Sequence, residues 1–201
     1  MNFLERIVKT KLIEVERAKE ILPLRELKKI AESSNYNHRS LIDVLKQGDG
    51  VKIIAEIKKS SPSVGDLSVD NFDPVVIAKE YEGAGASGIS VLTDFEFFGG
   101  RKQHLSQVKG NVKVPILRKD FIIDEYQIYE TKYIGADAFL LIVKIIDDVQ
   151  LEDYLSLAKE LELDVLVEVF DRHNMRSFLW IDISPALFIK NKSKHISTSL
   201  N

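Results

Sequence analysis

Cysteine is absent from the 201 residues, which excludes a disulfide framework, a thiol nucleophile and a cysteine-ligated metal, and suits a cytoplasmic protein. Long apolar runs are missing too. The longest of note, Ala138 to Val143, is far too short to span a bilayer, so no membrane partner is expected. Charge of either sign is not in excess: the net charge is −3, the isoelectric point is near 5.9, and the basic residues are spread along the chain, so no nucleic-acid partner is expected. Met1 to Lys19 alternates charged and apolar residues at helical spacing and is no signal peptide. His38, His104, His173 and His195 lack metal-ligand spacing and read as surface or packing residues, so no metal is expected. P-loop, nucleophile-elbow and EF-hand patterns are absent.

What is present is an ordinary globular composition, 45% hydrophobic and 29% charged, with enough chain to bury a sizeable core. Leu4, Ile7, Val8, Leu12, Val15 and Ala18 fall on one helical stripe, and a second helical segment runs from Leu24 to about Ala31. After the polar stretch Ser33 to Arg39, a short helix over Leu41 to Leu45 ends before Gly48. From Val51 the rhythm changes. Strands begin near 51, 87, 114, 137 and 164, at spacings of 23 to 36 residues that fit repeated βα units and a parallel sheet. Asp73-Pro74 and Asp124 read as helix N-caps, and Gly85-Ala86 and Gly135-Ala136 as a helix stop used twice. Gly83, Gly85 and Gly88 spell G-x-G-x-x-G, but between a helix and a strand, the reverse of what a dinucleotide site needs.

The chemistry concentrates at strand ends. The apolar run Val51 to Ile57 closes on Glu56 and Lys58, which period two places on one strand face. They read either as a structural ion pair or as groups facing a wet cleft, the place where parallel α/β folds keep their active sites. Val114 to Leu117 ends on Arg118-Lys119-Asp120, and Asp164 to Val167 ends on Glu168. Alone, Lys119 and Glu168 read as solvated strand ends. Together, three parallel strands deliver Glu56, Lys58, Lys119 and Glu168 to one rim, an acid/base site with mutually tuned groups. Phe95, Phe97 and Phe98, followed by Gly99-Gly100, are either hydrophobic cover or a loop that holds an aromatic substrate.

Ile54-Ala55-Glu56-Ile57-Lys58-Lys59-Ser60-Ser61-Pro62-Ser63, Pro115 to Ile122 and Leu166-Val167-Glu168-Val169 resemble the indole-3-glycerol phosphate synthase family over roughly residues 1 to 175. The resemblance implies an α/β, TIM (β/α)8-barrel fold, here an incomplete barrel of about five βα units carrying N-terminal extension helices. It divides the chain into a helical extension 1–48, a partial barrel 49–179 and a divergent tail 180–201, a C-terminal truncation or frameshift of the family pattern with no clear strand. It implies a carboxy-lyase of tryptophan biosynthesis that converts 1-(2-carboxyphenylamino)-1-deoxyribulose 5-phosphate to indole-3-glycerol phosphate, with release of carbon dioxide and water and without a cofactor. By resemblance Lys119 is the general acid of ring closure and Glu168 the general base. Lys58 holds substrate anionic groups and is a candidate donor for dehydration, and Glu56 orients the lysines. Ser61 contacts the substrate carboxylate, and Phe98 and Phe121 line the anthranilate pocket. Val64 stands where many members carry lysine. The alternative reading is a non-catalytic fragment without a phosphate site, associating with a partner that completes the sheet; the open sheet edges also invite self-association. Phosphoribosylanthranilate isomerase, a different phosphate-binding barrel, lacks support from the Glu-x-Lys and Lys-Asp-Phe motifs.

Overall fold

The computed structural model describes residues 2–34, 37–61, 65–66, 72–169 and 186–190. Three helices come first. Helix α1 (Phe3–Ile21) starts in a capping box, with Asn2 accepting from the Glu5 amide and Glu5 reaching back to the Asn2 amide. Its buried stripe is Ile7, Lys11 and Val15, whereas Leu12 is exposed. The expected all-apolar stripe is therefore rotated, because Lys11 finds buried carboxylates. Helix α2 (Leu24–Glu32) follows Pro23 and buries Leu27 and Ala31. Helix α3 (Leu41–Lys46) is capped by Ser40, whose hydroxyl accepts the Asp43 amide.

The sheet then alternates with helices. In chain order the elements are β1 (Ile54–Ile57), the short antiparallel pair β2 (Ser60–Ser61) and β3 (Gly65–Asp66), α4 (Pro74–Gly83), β4 (Gly88–Leu92), α5 (Lys102–Lys109), β5 (Ile116–Lys119), α6 (Glu125–Tyr133), β6 (Ala138–Ile142), a single 3-10 turn Val143–Ile145, α7 (Asp148–Glu160), β7 (Asp164–Val169) and β8 (Ala186–Lys190). The main sheet runs β1-β4-β5-β6-β7-β8, every neighbouring pair parallel. Sequential order is what short helical crossovers produce.

Two expectations are corrected. The sheet has six parallel strands rather than five, because Ala186–Lys190, expected to carry no clear strand, pairs with β7 from Val165↔Ala186 to Val169↔Lys190. The first strand begins at Ile54 instead of Val51, and Val51 and Ile53 are exposed. The expected helix over Asp171 to Leu179, Val64 and most of the segment beyond Trp180 lie outside the described residues.

The cap signals behave as read. Asp73 accepts the Val75 and Val76 amides with Pro74 in the first turn, and Asp124 accepts the Tyr126 amide. Helices α4 and α6 end alike: Gly85 (φ +91°) and Gly135 (φ +85°) are left-handed, and the amides of Ala86 and Ala136 return to the carbonyls of Tyr81 and Thr131. Glycine tolerates that conformation without a Cβ clash, and the stop sends each chain directly into the next strand.

Strands β4, β6 and β7 are buried along their whole length, as a sheet covered on both faces requires. One face carries Leu117, Ala138, Leu140, Ile142 and Leu166, joined by Leu41 and Ile54. On the opposite face Val165, Val167, Phe139 and Leu141 pack against α6, α7, Val15, Leu27 and Ala31, so α1 and α2 share a core with the sheet's own helices. Ile57, Ile89, Val91 and Ile116 pack against α4 and α5 on that same outer face.

Candidate active site

Period two decides which charges face the inner side. Glu56 follows Ile54, Lys119 follows Leu117 and Glu168 follows Leu166, each two residues beyond a member of the inner cluster, so all three point inward at the carboxyl ends of β1, β5 and β7. Lys58 lies one residue past β1 on the face of Glu56. The Lys119 ammonium donates to Glu56 Oε2 at 2.7 Å, and the Lys58 ammonium lies 3.1 Å from Oε1. One carboxylate thus holds two ammonium groups, one on each oxygen. All three side chains keep about a third of their surface open to solvent, 30% for Glu56, 31% for Lys58 and 37% for Lys119. Glu168 is nearly enclosed at 8%. Partial burial alone would raise the Glu56 pKa, but its bonds to Lys119 and then Lys58 hold it below the usual carboxylate range. It stays ionised and keeps both amines in place.

Beside Glu56 in register stands Ser90, whose buried hydroxyl makes no hydrogen bond to a described group. Sequence reasoning did not single it out. A serine inside an apolar strand carries no signal until its paired neighbour is known.

The loop after β4 brings the aromatic residues to the same end. Phe98 and Phe121 rings lie 6.1 Å apart at 32°, one from the loop after β4 and one from the loop after β5. The Phe98 carbonyl accepts the Ser60 amide at 3.2 Å, tying this loop to the segment after Lys58, and Ser61 beyond it is buried. Gly100 can only be glycine, since a Cβ there would sit 2.3 Å from the Leu92 carbonyl oxygen. Phe97 instead packs edge-on against Phe3 of α1 at 5.7 Å, and Phe95 is exposed beneath the Arg101 guanidinium. Of the three loop aromatics, only Phe98 joins the rim.

Behind the rim, on the outer face, lies an ion network that the sequence does not display. Arg118 is 1% exposed and donates to Asp120 at 3.1 Å, to Glu130 at 2.7 Å and to the Gln127 carbonyl at 2.9 Å. Lys11 of α1 joins it through Asp120 at 3.0 Å. These residues line a cleft of about 370 Å³ between α1, α5 and α6. The cleft lies on the far side of the sheet from Glu56.

Ion pairs at the opposite end of the strands are of another kind. Asp137, fully buried before β6, accepts the Arg39 and Ile116 amides at 2.8 Å each and pairs with Lys109. Asp164, at the start of β7, accepts the Ile42 amide and the Ser40 hydroxyl at 3.0 Å each. They seat Leu41 against the inner cluster as a plug. His38 also belongs here, within hydrogen-bond reach of the Asp137 carbonyl, while His104 packs against Phe72 and burial lowers its pKa. His173 and His195 lie outside the described residues. Among the described residues no group of three or more His, Asp or Glu side chains is arranged to hold a metal ion.

The family model for indole-3-glycerol phosphate synthase matches residues 4–191, and so runs through β8, past the point at Trp180 where the family pattern was expected to stop. The indole-3-glycerol phosphate synthase of Chlorobium phaeovibrioides is 48% identical over 176 residues, covering 87% of this chain and 67% of that protein. That of Legionella pneumophila strain Paris is 46% identical over 194 residues, covering 96% of this chain and 73% of that protein. A third, from Thermoanaerobacter pseudethanolicus, is 48% identical over 173 residues, covering 86% and 64%. The parallel sheet with its flanking helices is an α/β fold of the TIM-barrel type. Matched along nearly its whole length, the chain belongs to the indole-3-glycerol phosphate synthase family.

Proposed function

We propose that the Glu56, Lys58, Lys119 and Glu168 rim carries out the chemistry of indole-3-glycerol phosphate synthesis. The family assignment makes the chain a carboxy-lyase of tryptophan biosynthesis. The observation that carries the residue roles is the bridge Lys58–Glu56–Lys119 beside the Phe98–Phe121 pair. In 1-(2-carboxyphenylamino)-1-deoxyribulose 5-phosphate, the ring carbon bearing the carboxylate attacks the ketone carbon. A carbon-carbon bond forms and negative charge develops on the ketone oxygen. The Lys119 ammonium, held in place by Glu56, gives that oxygen its proton. Loss of carbon dioxide returns the bonding pair to the ring and restores aromaticity. The new hydroxyl then leaves as water with a proton from Lys58, while Glu168 removes the proton from the neighbouring carbon. Phe98 and Phe121 hold the aryl ring, and Ser61 meets its carboxylate.

Glu168 suits its role by position: it stands near the end of β7 on the inner face, two residues beyond Leu166, and is almost enclosed. A cytoplasmic location fits the cysteine-free sequence, and no described helix is long and apolar enough to cross a membrane. Strands β1 and β8 each have one neighbour among the described residues, which supports self-association through the sheet edges. Sedimentation of the chain over a range of concentrations tests that association, and a mass that stays monomeric refutes it.

The test of the roles is the fluorescence of indole-3-glycerol phosphate formed by this chain and by a chimera continued with the remaining length of the Chlorobium relative. In the active form Lys119→Ala and Glu168→Gln should each lower kcat by roughly 10²-fold or more, the scale for losing a positioned acid or base. Unchanged kcat in both would refute the assignment.

A further inference from the structure

Lys11 of the amino-terminal helix meets the loops behind the rim. Lys11 is 3% exposed, and its ammonium meets three carboxylates: Glu14 at 2.6 Å, Asp94 at 2.9 Å and Asp120 at 3.0 Å. Glu14 is a neighbour on α1, but the other two belong to different loops. Asp94 lies two residues past β4, and Asp120 directly follows β5.

Each of those carboxylates organises its own loop. Asp94 Oδ1 accepts the Phe97 amide at 2.8 Å and the Asp94 carbonyl accepts the Gly100 amide at 2.7 Å, so the chain from Phe95 to Gly100, which carries Phe98, is wound around Asp94. Asp120 accepts the Phe121 amide at 2.9 Å and the Thr93 hydroxyl at 2.6 Å, and stands between Lys119 and Phe121. One ammonium therefore joins the two loops that carry the two rings of the aryl pair.

Both partners are ionised. Burial alone would lower the Lys11 pKa, but Asp120, Asp94 and Glu14 raise it above the usual lysine value; burial alone would raise that of Asp120, but Lys11 and Arg118 hold it well below the carboxylate range. Asp120 has Arg118 as a second cation. Among the described residues Lys11 is the cation paired with the fully buried Asp94. Without it Asp94 loses the cation it is paired with, and the link between this loop and β5 rests on Thr93, through its hydroxyl to Asp120 and its amide to the Lys119 carbonyl.

Resting on the synthase reading above, we infer that Lys11 is a positioning residue for the reaction: it brackets the Asp94 and Asp120 loops so that Phe98 and Phe121 form the aryl slot beside Lys119. It touches no reacting atom. Its action is on where the anthranilate ring sits relative to the acid.

The test uses the 201-residue chain with Lys11→Met combined with Asp94→Asn, which removes the bracket without leaving Asp94 as an unpaired buried carboxylate. With 4-fluorophenylalanine at every phenylalanine, the 19F resonances of Phe98 and Phe121 should shift or broaden in the free protein, while that of Phe139, deep in the core, stays in place. The substrate with its ketone reduced to an alcohol cannot close its ring and reports binding; its affinity should fall about tenfold, the scale of an aromatic contact. Ribulose 5-phosphate, which lacks the ring, should bind the variant as it binds the unsubstituted chain. Unmoved Phe98 and Phe121 resonances overturn the inference. A moved Phe139 with equal weakening of both ligands overturns it as well, by showing general destabilisation. If the unsubstituted chain binds neither ligand the synthase reading falls, and the 19F comparison alone then decides whether the bracket exists.

Discussion

The two ends of the sheet use the same residue types for opposite purposes. At the amino-terminal end Asp137 and Asp164 spend their oxygens on backbone amides and on Ser40, and Lys109 closes the remaining charge with 11% of its side chain exposed. At the carboxyl-terminal end Glu56 spends its oxygens on two amines whose remaining surface is open. A buried carboxylate saturated by main-chain donors cannot change partners without unfolding something. One bound to part-exposed ammonium groups, as in the proposed site, can change partners while the fold stays intact. The carboxylates of the amino-terminal end are thus held by main-chain amides and buried partners, whereas on the inner face of the carboxyl-terminal end, where the proposed chemistry sits, Glu56 is held by two part-exposed side chains.

The largest effect should come from breaking the structural end. Asp137→Ala leaves Lys109 and two amides without their acceptor, and removal of one partner of a buried pair costs about 3–5 kcal/mol. Thermal unfolding should show the midpoint falling by on the order of 10 °C. A loss under about 1 kcal/mol would mean that the amino end is not the anchor described.

A pH titration sharpens the comparison next. Asp120 is held well below the usual carboxylate range, so its contribution to stability is fully present above about pH 4, its unfolded value, and is lost as pH falls through the folded value. Glu56 is also lowered, but about a third of it is exposed, and solvent weakens its share. Chemical denaturation between pH 2 and 6 should therefore show an acid limb that flattens in Asp120→Asn and changes much less in Glu56→Gln. An equal change in both would remove the distinction between the buried network and the open rim.

The smallest effect expected is at the plug. Ser40→Ala removes the cap of α3 and one donor to Asp164, and should cost about 1 kcal/mol, read as a shift of the denaturation midpoint with kcat unchanged. A fall in kcat would show that the plug communicates with the rim.

Much of this arrangement is legible in the residues themselves. Period two and charges at strand ends were enough to bring Glu56, Lys58, Lys119 and Glu168 to one end, and the proline, aspartate and glycine signals located the ends of α4 and α6. Those features are local: each is decided within a few residues. Strand β8 carries the same signature, an apolar run closing on Lys190, but the basic, Ser/Thr-rich stretch that follows makes the segment read as an irregular tail. Lys11 was not legible for the opposite reason. A lysine within a helix reads as solvated, and only the fold reveals that its partners are Asp94 and Asp120. Its one local trace is its place in the buried stripe, four residues from both Ile7 and Val15. Ser90 and the Arg118 network share that dependence on distant strands.

The comparison between the ends is tested most directly by two lysines measured side by side for kcat and thermal midpoint, in the active form of the chain. Lys119→Ala should lower kcat by roughly 10²-fold or more and leave the midpoint within a few degrees, whereas Lys109→Ala should lower the midpoint by several degrees and leave kcat unchanged. If Lys109→Ala abolishes turnover in folded protein, or Lys119→Ala unfolds the chain while its folded fraction keeps full kcat, the division between a structural end and a reactive end is wrong.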